Sequence, residues 1–459
     1  MVFHPALCAR TPFLNAILEY TDGSGWDAPI HVGDRLEVYD RGFDDVLVVE
    51  MVDGQPLVEL APGGQRVQLD EEDYPFIIAS PFADAIWERH QKEGTPDGVA
   101  WGDGVVSEAL TGRLMAGFDA LCAEDADYHP GSNGTVRDLV HPSLYPYVHG
   151  VSAVAEGVTV PEHFAAVGGD PGPPDRWGRP FEASTYQWLP TDVVVDADGA
   201  ARFDGYVNNL GSEHGEVVGA LEELLSTALP LLESVYGYAQ AYDPWDEREE
   251  DCEADLPEPP SKRPAPEPVK AASLRGRRLQ VIPKLVQYEI GADASYESVW
   301  HVEGMSQEHI VATAVFVLDR DEELDGGALR FKRGYTREDA GQVFWNINQV
   351  RPRPVDEMVG RSMVPLGTVE TPKGRLVVFP NSHVHRLTPM TTTAEQARRR
   401  IVVFWLVDPD VRILGTNDVP RKQGVMDHEA ALAHRLALME ERRTHKQSHN
   451  VREISLCEH

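Results

Sequence analysis

Trp300-His301-Val302-Glu303-Gly304-Met305, read together with Phe379-Pro380-Asn381-Ser382-His383-Val384-His385, decides how the rest of the chain is arranged. Side chains alternate faces along a strand, so His301 and Glu303 share one face while Val302 takes the other. A third donor must then come from a strand remote in sequence and adjacent in space. His385 supplies it, with His383, in phase and two residues earlier, as the competing ligand. His385 is preferred because three arginines, Arg398, Arg399 and Arg400, follow it at a suitable distance.

Working outward, the surrounding sequence reads as strands. Leu279 to Ile290, Ile310 to Leu318, Ala328 to Lys332, Gly367 to Thr371, Arg375 to Phe379 and Arg400 to Val407 are β-branched and apolar, with a turn signal at Pro372-Lys373-Gly374. Strands of this length closing on a metal site predict an α+β protein whose residues 274–425 form a jelly-roll, cupin-like double-stranded β-helix core. Residues 1–80 read as a small β-rich unit and 81–243 as a mainly helical and irregular region. A helix is expected from about Gly215 to Ala239, with a kink or break near Leu229 where Pro230 interrupts it. Residues 244–273 are Pro-rich and acidic, a linker or long loop. Residues 426–459 read as an outer helix and tail.

Two imidazoles and one carboxylate on one face of an iron leave three positions open, the arrangement of non-haem Fe(II) oxygenases. The expectation is therefore an enzyme that uses Fe(II), 2-oxoglutarate as co-substrate and O2. The distal carboxylate of 2-oxoglutarate needs a partner, and a guanidinium gives it two parallel charge-assisted bonds. Arg399 shares a face with Ile401, and Arg400 with Val402, so the sequence leaves both open. Substrate contacts are expected from Tyr206, Asn208 and Asn209, with Trp300 beside the first ligand and Gln280 and Lys284 in phase on one strand. Asn208-Asn209 is equally a turn signal, and Trp300 equally core.

Composition bounds the rest. The net charge of −34 repels phosphate backbones and anionic lipid, which excludes nucleic acid and membrane as expected partners. Four cysteines lie far apart without metal or disulfide spacing, and no stretch approaches a membrane span, so a soluble cytoplasmic protein is expected.

The chain resembles an uncharacterised domain-of-unknown-function family akin to the Fe(II)- and 2-oxoglutarate-dependent oxygenases. The phrases that carry the resemblance are His141-Pro142-Ser143-Leu144-Tyr145-Pro146, Tyr186-Gln187-Trp188-Leu189-Pro190, Tyr206-Val207-Asn208-Asn209-Leu210, Leu279 to Leu285, Trp300 to Met305, Phe379-Pro380-Asn381 and Leu406-Val407-Asp408-Pro409. They span roughly residues 80 to 425. The resemblance implies His385 as the third ligand, with a Leu-like residue at the position of His383, and Arg399 as the co-substrate arginine. The first 80 residues and an insertion around Trp345 to Arg361 depart from it. The expected reaction is hydroxylation of a small molecule, amino acid or peptide, with succinate and carbon dioxide as co-products. The alternatives are a Jumonji-like hydroxylase of protein side chains, a cupin-type metalloenzyme that does not use 2-oxoglutarate, and a non-catalytic jelly-roll binding protein.

Overall fold

The computed structural model describes residues 2–3, 30–70, 72–73, 75–94, 96–161, 164, 184–241, 270–334, 363–421 and 426–448. The insertion around Trp345 to Arg361, and all but the last four residues of the expected linker, lie outside them. A short strand, β1 (Val2–Phe3), is followed by β2 (Arg35–Val38), β3 (Phe43–Val52), β4 (Gln55–Glu59), β5 (Arg66–Gln68) and β6 (Pro75–Ala79). The last five form an antiparallel sheet in the order β5-β4-β3-β2-β6. Alternation buries Leu36, Val38, Val46, Val48 and Val58 on one face, giving this sheet a small core of its own.

The next stretch alternates helix and strand: α1 (Pro81–Glu93), β7 (Ala100–Asp103), α2 (Glu108–Cys122), β8 (Val136–Val140), β9 (Tyr147–Val148), β10 (Tyr186–Gln187), β11 (Thr191–Val195), β12 (Ala201–Phe203) and α3 (Gly215–Ala241). Ser80 and Ser107 cap α1 and α2 by accepting backbone N–H bonds from Ala83 and Leu110. Of the kink or break expected near Leu229, the break does not occur, and the helix runs on through Pro230. Proline costs about 3 kcal/mol inside a helix. Leu224, Leu225, Leu229, Leu231 and Leu232, buried on both sides of it, outweigh that loss.

The remaining strands are β13 (Arg278–Gly291), β14 (Ile310–Arg320), β15 (Leu324–Gly326), β16 (Leu329–Gly334), β17 (Met363–Val369), β18 (Arg375–Pro380), β19 (His383–Leu387), β20 (Met390–Thr392) and β21 (Gln396–Val407), before α4 (His428–Ser448). Most join two antiparallel sheets. The large sheet runs β1-β7-β18-β14-β21-β13-β11-β12, with β8 also paired to β13, and the small one runs β17-β16-β19. Strands β7, β8, β11 and β12, from the region read as mainly helical, are thus part of the large sheet. The turn at Pro372-Lys373-Gly374 is a crossover between sheets, since β17 pairs in the small sheet and β18 in the large one.

Strand alternation sorts the core into two layers. Val281, Leu285, Val402, Phe404 and Leu406 pack under α2 and α3. Ile282, Val286, Tyr288, Ile401, Val403 and Trp405 face the other way and meet Phe331, Phe379 and Leu387 between the sheets. The candidate site lies on this inner layer.

Helix α4, expected on the outside, is tied down by two buried guanidiniums. Arg435 donates to Asp127 at 2.6 and 2.8 Å and to Asp138. Arg442 pairs with the fully buried Glu308, which also accepts the Trp188 and Met305 amides. Removing one partner of a buried pair strands the other charge at a cost of about 3–5 kcal/mol. Arg435→Ala is expected to lose that much stability in urea unfolding, and a loss below about 1 kcal/mol would contradict this account of α4.

Next to Asp138, burial drives the His141 imidazole well below its ordinary range, against the pull of that carboxylate. Its Nδ1 accepts the Ser143 amide, so the ring is neutral in the fold. The unfolded chain takes up this proton below about pH 6.5 and the native chain does not, so stability falls as pH drops below that value. Urea midpoints measured from pH 7 to 5 should fall less steeply for His141→Gln than for the parent protein.

Candidate metal and co-substrate site

His301 and His385 face each other across an isolated antiparallel bridge. Their backbones exchange two hydrogen bonds, His301 N–H to His385 O at 3.0 Å and His385 N–H to His301 O at 2.9 Å. Glu303 reaches the same side by a different device from the continuous strand expected, because the chain bends immediately after Val302. Asn381 holds the bend. Its Oδ1 accepts the Glu303 amide at 2.8 Å, and its Nδ2 donates to the carbonyls of Glu303 and Ile310 at 2.8 and 3.1 Å. Gly304 follows at φ +65°, where an added Cβ would stand 2.7 Å from both Glu308 Oε2 and Ile310 Cδ1. That accounts for the glycine in the phrase. Val302 points away, as alternation requires, into a cluster with Trp300, Met363 and Val384.

The imidazoles are oriented by carbonyl groups. His301 Nδ1 lies 2.7 Å from Val299 O, and His385 Nδ1 lies 3.1 Å from His383 O. A carbonyl can only accept, so each Nδ1 carries the hydrogen and each Nε2 presents a lone pair when the ring is neutral. The two Nε2 atoms stand 3.7 and 3.5 Å from Glu303 Oε1, and the three donor atoms fall within 4.8 Å of one another. Burial would raise the Glu303 carboxyl, but the two imidazoles beside it hold it well below the usual carboxylate range. Three electron-pair donors facing one another could hold a cation between them. Donors about 2.1 Å from a shared metal sit roughly 3.0–3.5 Å apart, and the two imidazole–carboxylate separations lie close to that span.

Register sends the two candidate arginines to opposite faces of β21. Arg399 lies opposite Tyr288 in β13, on the inner face with Ile401, Val403 and Trp405. Its side chain is fully buried and donates to Gly327 O at 2.8 Å and Thr371 Oγ1 at 3.0 Å, while its Nε has no partner. No carboxylate among the described residues pairs with it. Burial pushes its pKa down to about 10. Gly327 makes room for it, since a Cβ there would lie 2.6 Å from Arg399 Nη1. Tyr288 lies with its ring centre 5.9 Å from the Arg399 guanidinium carbon; burial raises its phenol, and the charges of both Arg399 and Glu303 act on it. Arg400 points to the helical layer, bonding Gln287 at 2.7 Å and Asp119 at 2.8 Å.

The competing histidine is occupied elsewhere. His383 Nε2 bonds Asp97 O at 2.8 Å, and burial pushes the ring's pKa down to about 3. Of the other residues singled out in the sequence, Lys284 lies on the inner face, 5.9 Å from the Trp405 ring centre. Trp300 lies on the opposite face from His301, with Lys332 and Arg386 at 4.7 and 4.9 Å from its ring. Gln280 spends both ends of its amide on the Ile413 backbone. Asn208 donates to Leu144 O and Tyr145 O, Tyr206 donates to Val419 O, and Asn209 turns the chain at φ 62°. Those hydrogen bonds tie the Tyr206–Leu210 phrase to the His141–Pro146 phrase and to the segment after β21.

Two other groups of His and carboxylate side chains lie close enough together to hold an ion: His129, Asp138 and His141, and Glu124, Glu213 and His214. In the first, Arg435 already bonds the Asp138 oxygen nearest the histidines. The second is largely exposed. Asn381, Tyr288 and Thr371 escaped the sequence reading as site residues. Only Asn381 carried a signal, as part of the Phe-Pro-Asn phrase.

The model of the family described as a protein of unknown function, DUF4246, matches residues 88–429, most of the chain, and the chain belongs to that family. No curated protein matches it. Solved structures that overlap it include an oxidoreductase of the 2OG-Fe(II) oxygenase family from Burkholderia pseudomallei, at 11% identity over 68% of this chain and 85% of that one. Others are AviO1 from Streptomyces viridochromogenes, at 14% over 72% and 97%, and a prolyl-4-hydroxylase from Pseudomonas putida, at 11% over 68% and 92%. With TM-scores of 0.27, 0.27 and 0.26, overlaps this loose leave the assignment to the site's own geometry. Among the described residues no helix is long and apolar enough to cross a membrane.

The geometry predicts different outcomes for the two histidines of β19. Cobalt(II) titrated into metal-free protein should bind to the His383→Leu variant as it does to the parent, and should lose its site in His385→Ala. Loss of binding in His383→Leu with retention in His385→Ala would reverse the assignment.

Proposed function

We propose that the protein is an Fe(II)- and 2-oxoglutarate-dependent dioxygenase with a double-stranded β-helix core, hydroxylating a small molecule, amino acid or peptide. The observation that carries this reading is the pairing of two unmet demands on one inner face. Three lone-pair donors converge on a space for a cation, and a fully buried guanidinium has no carboxylate among the described residues. A buried charge left unpaired costs several kcal/mol. A dicarboxylate that chelates the metal at one end and meets Arg399 at the other answers both demands. The order β13-β21-β14-β18 in the large sheet, facing β17-β16-β19, supports the fold assignment.

In this reading His301, Glu303 and His385 hold iron, with the Val299 and His383 carbonyls fixing the imidazole tautomers and Asn381 fixing the carboxylate. Arg399 and Thr371 receive the distal carboxylate of 2-oxoglutarate, with the Tyr288 ring beside the guanidinium. Loaded with iron, 2-oxoglutarate and oxygen, such a centre hydroxylates a C–H bond and releases succinate and carbon dioxide. The protein's part is orientation and exclusion of water. Phe331 and Phe379 pack on His385, the latter at 4.6 Å and 61°, and keep the ligand side dry. Lys284, with Trp405 behind it, is the inner-face cation placed to meet a substrate group.

Calorimetric titration of 2-oxoglutarate into manganese-loaded protein tests the arginine. Truncating one partner of a buried charge pair costs about 2–5 kcal/mol, so Arg399→Ala should weaken binding by at least thirtyfold. Arg400→Ala should leave affinity within about threefold while lowering stability. Equal affinities in the parent and Arg399→Ala would remove 2-oxoglutarate from the account.

A further inference from the structure

Building on the dioxygenase reading, we propose that its substrate is an organic carboxylate with an apolar body, whose carboxylate meets Lys284, Trp405 and Thr313 on the inner face of the large sheet. Register puts these three side chains together. Ile282, Trp405, Thr313 and Phe379 stand in one row across β13, β21, β14 and β18. Lys284, two residues on from Ile282, is the diagonal neighbour of Trp405, with its Nζ 5.9 Å from the indole ring centre. The row ends beside the candidate metal centre, because the Phe379 ring lies 4.6 Å from that of His385.

Each of the three polar groups lacks an acceptor. Trp405 Nε1 and Thr313 Oγ1 are both buried with no hydrogen-bond partner, and buried polar groups are as a rule paired. An indole N–H can only donate. Among the described residues Lys284 Nζ has no hydrogen bond or ion pair. Asp138, the carboxylate that feels its charge, is already bonded by Arg435 and His129. Solvent reaches Lys284, which is half-buried, while Ile282, Val286 and Tyr288 on the same face are buried. An ammonium, an indole N–H and a hydroxyl together match the several lone pairs of a carboxylate. Around them the layer is apolar, with Ile282, Val286, Ile401 and Val403, and an aliphatic or aromatic body loses less on entering it than a hydroxylated one. Arg399 lies in the Tyr288 row, four residues along β13 from Lys284, or about 13 Å at the rise of a strand. Substrate and co-substrate carboxylates thus have separate cations.

The test titrates hexanoate and the neutral hexanamide, by calorimetry, into full-length protein loaded with Mn(II) and 2-oxoglutarate. Saturable hexanoate binding is expected, roughly tenfold or more tighter than that of hexanamide. Lys284→Met should abolish the preference, and Trp405→Phe and Thr313→Val should each weaken hexanoate by roughly threefold or more. Affinity of the manganese-loaded Lys284→Met variant for 2-oxoglutarate should stay within about threefold of the parent's. A parent protein that takes up hexanoate through Lys284 and does not bind 2-oxoglutarate would keep the carboxylate site and lose the dioxygenase reading. Absence of saturable hexanoate binding, equal affinities for hexanoate and hexanamide, or a hexanoate affinity untouched by Lys284→Met would overturn the proposal. So would loss of 2-oxoglutarate binding in Lys284→Met, which would make Lys284 the partner of the co-substrate instead.

Discussion

Two backbone hydrogen bonds between His301 and His385 carry the candidate centre. They bring a segment that is otherwise loop against the edge of the small sheet and set the two imidazoles 4.4 Å apart, centre to centre. Everything else about the site adjusts to that bridge. Asn381 pins the following bend so that the Glu303 carboxylate turns back toward both rings, and two carbonyls commit the Nδ1 hydrogens. The large sheet supplies what the bridge does not, a buried arginine further along the inner face. An arrangement of this kind needs both sheets in register, because a one-residue slip would move every donor to the wrong face.

Buried guanidiniums recur in this structure, and their partners tell them apart. Arg435 and Arg442 meet carboxylates and fasten α4 to the core. Arg400 meets Gln287 and Asp119. Arg399 has a carbonyl, a hydroxyl and a thioether, none of them charged. The first three are accounted for by folding. The fourth is a cost to the fold that a ligand carboxylate would relieve.

Much of the core was legible in the sequence because strands there announce themselves by alternation and by Gly and Pro punctuation. The strand of 278–291 and the adjacent apolar run of 310–320 came through nearly to their ends, and the last strand did so except for its first four residues, Gln396 to Arg399. The sequence brought His301, Glu303 and His385 together by alternation along a continuous strand, whereas a bend after Val302 held by Asn381 is what turns Glu303 toward the two rings. Three things were not legible. Which of Arg399 and Arg400 faces inward depends on which layer each sheet face meets, and both faces of β21 are buried. The helix across Pro230 depends on leucines whose burial is tertiary. Short strands such as Ala100–Asp103 and Val136–Val140 take their conformation from the edges they pair with, and so read as irregular.

The central claim is that one metal and one dicarboxylate share the inner face. Its most direct test is the visible absorption of the protein under anaerobic conditions as Fe(II) and then 2-oxoglutarate are added. The account predicts a weak charge-transfer band that requires both additions and is absent from His301→Ala. Stoichiometric Fe(II) binding with no band on addition of 2-oxoglutarate would contradict it and leave a metalloprotein of different chemistry.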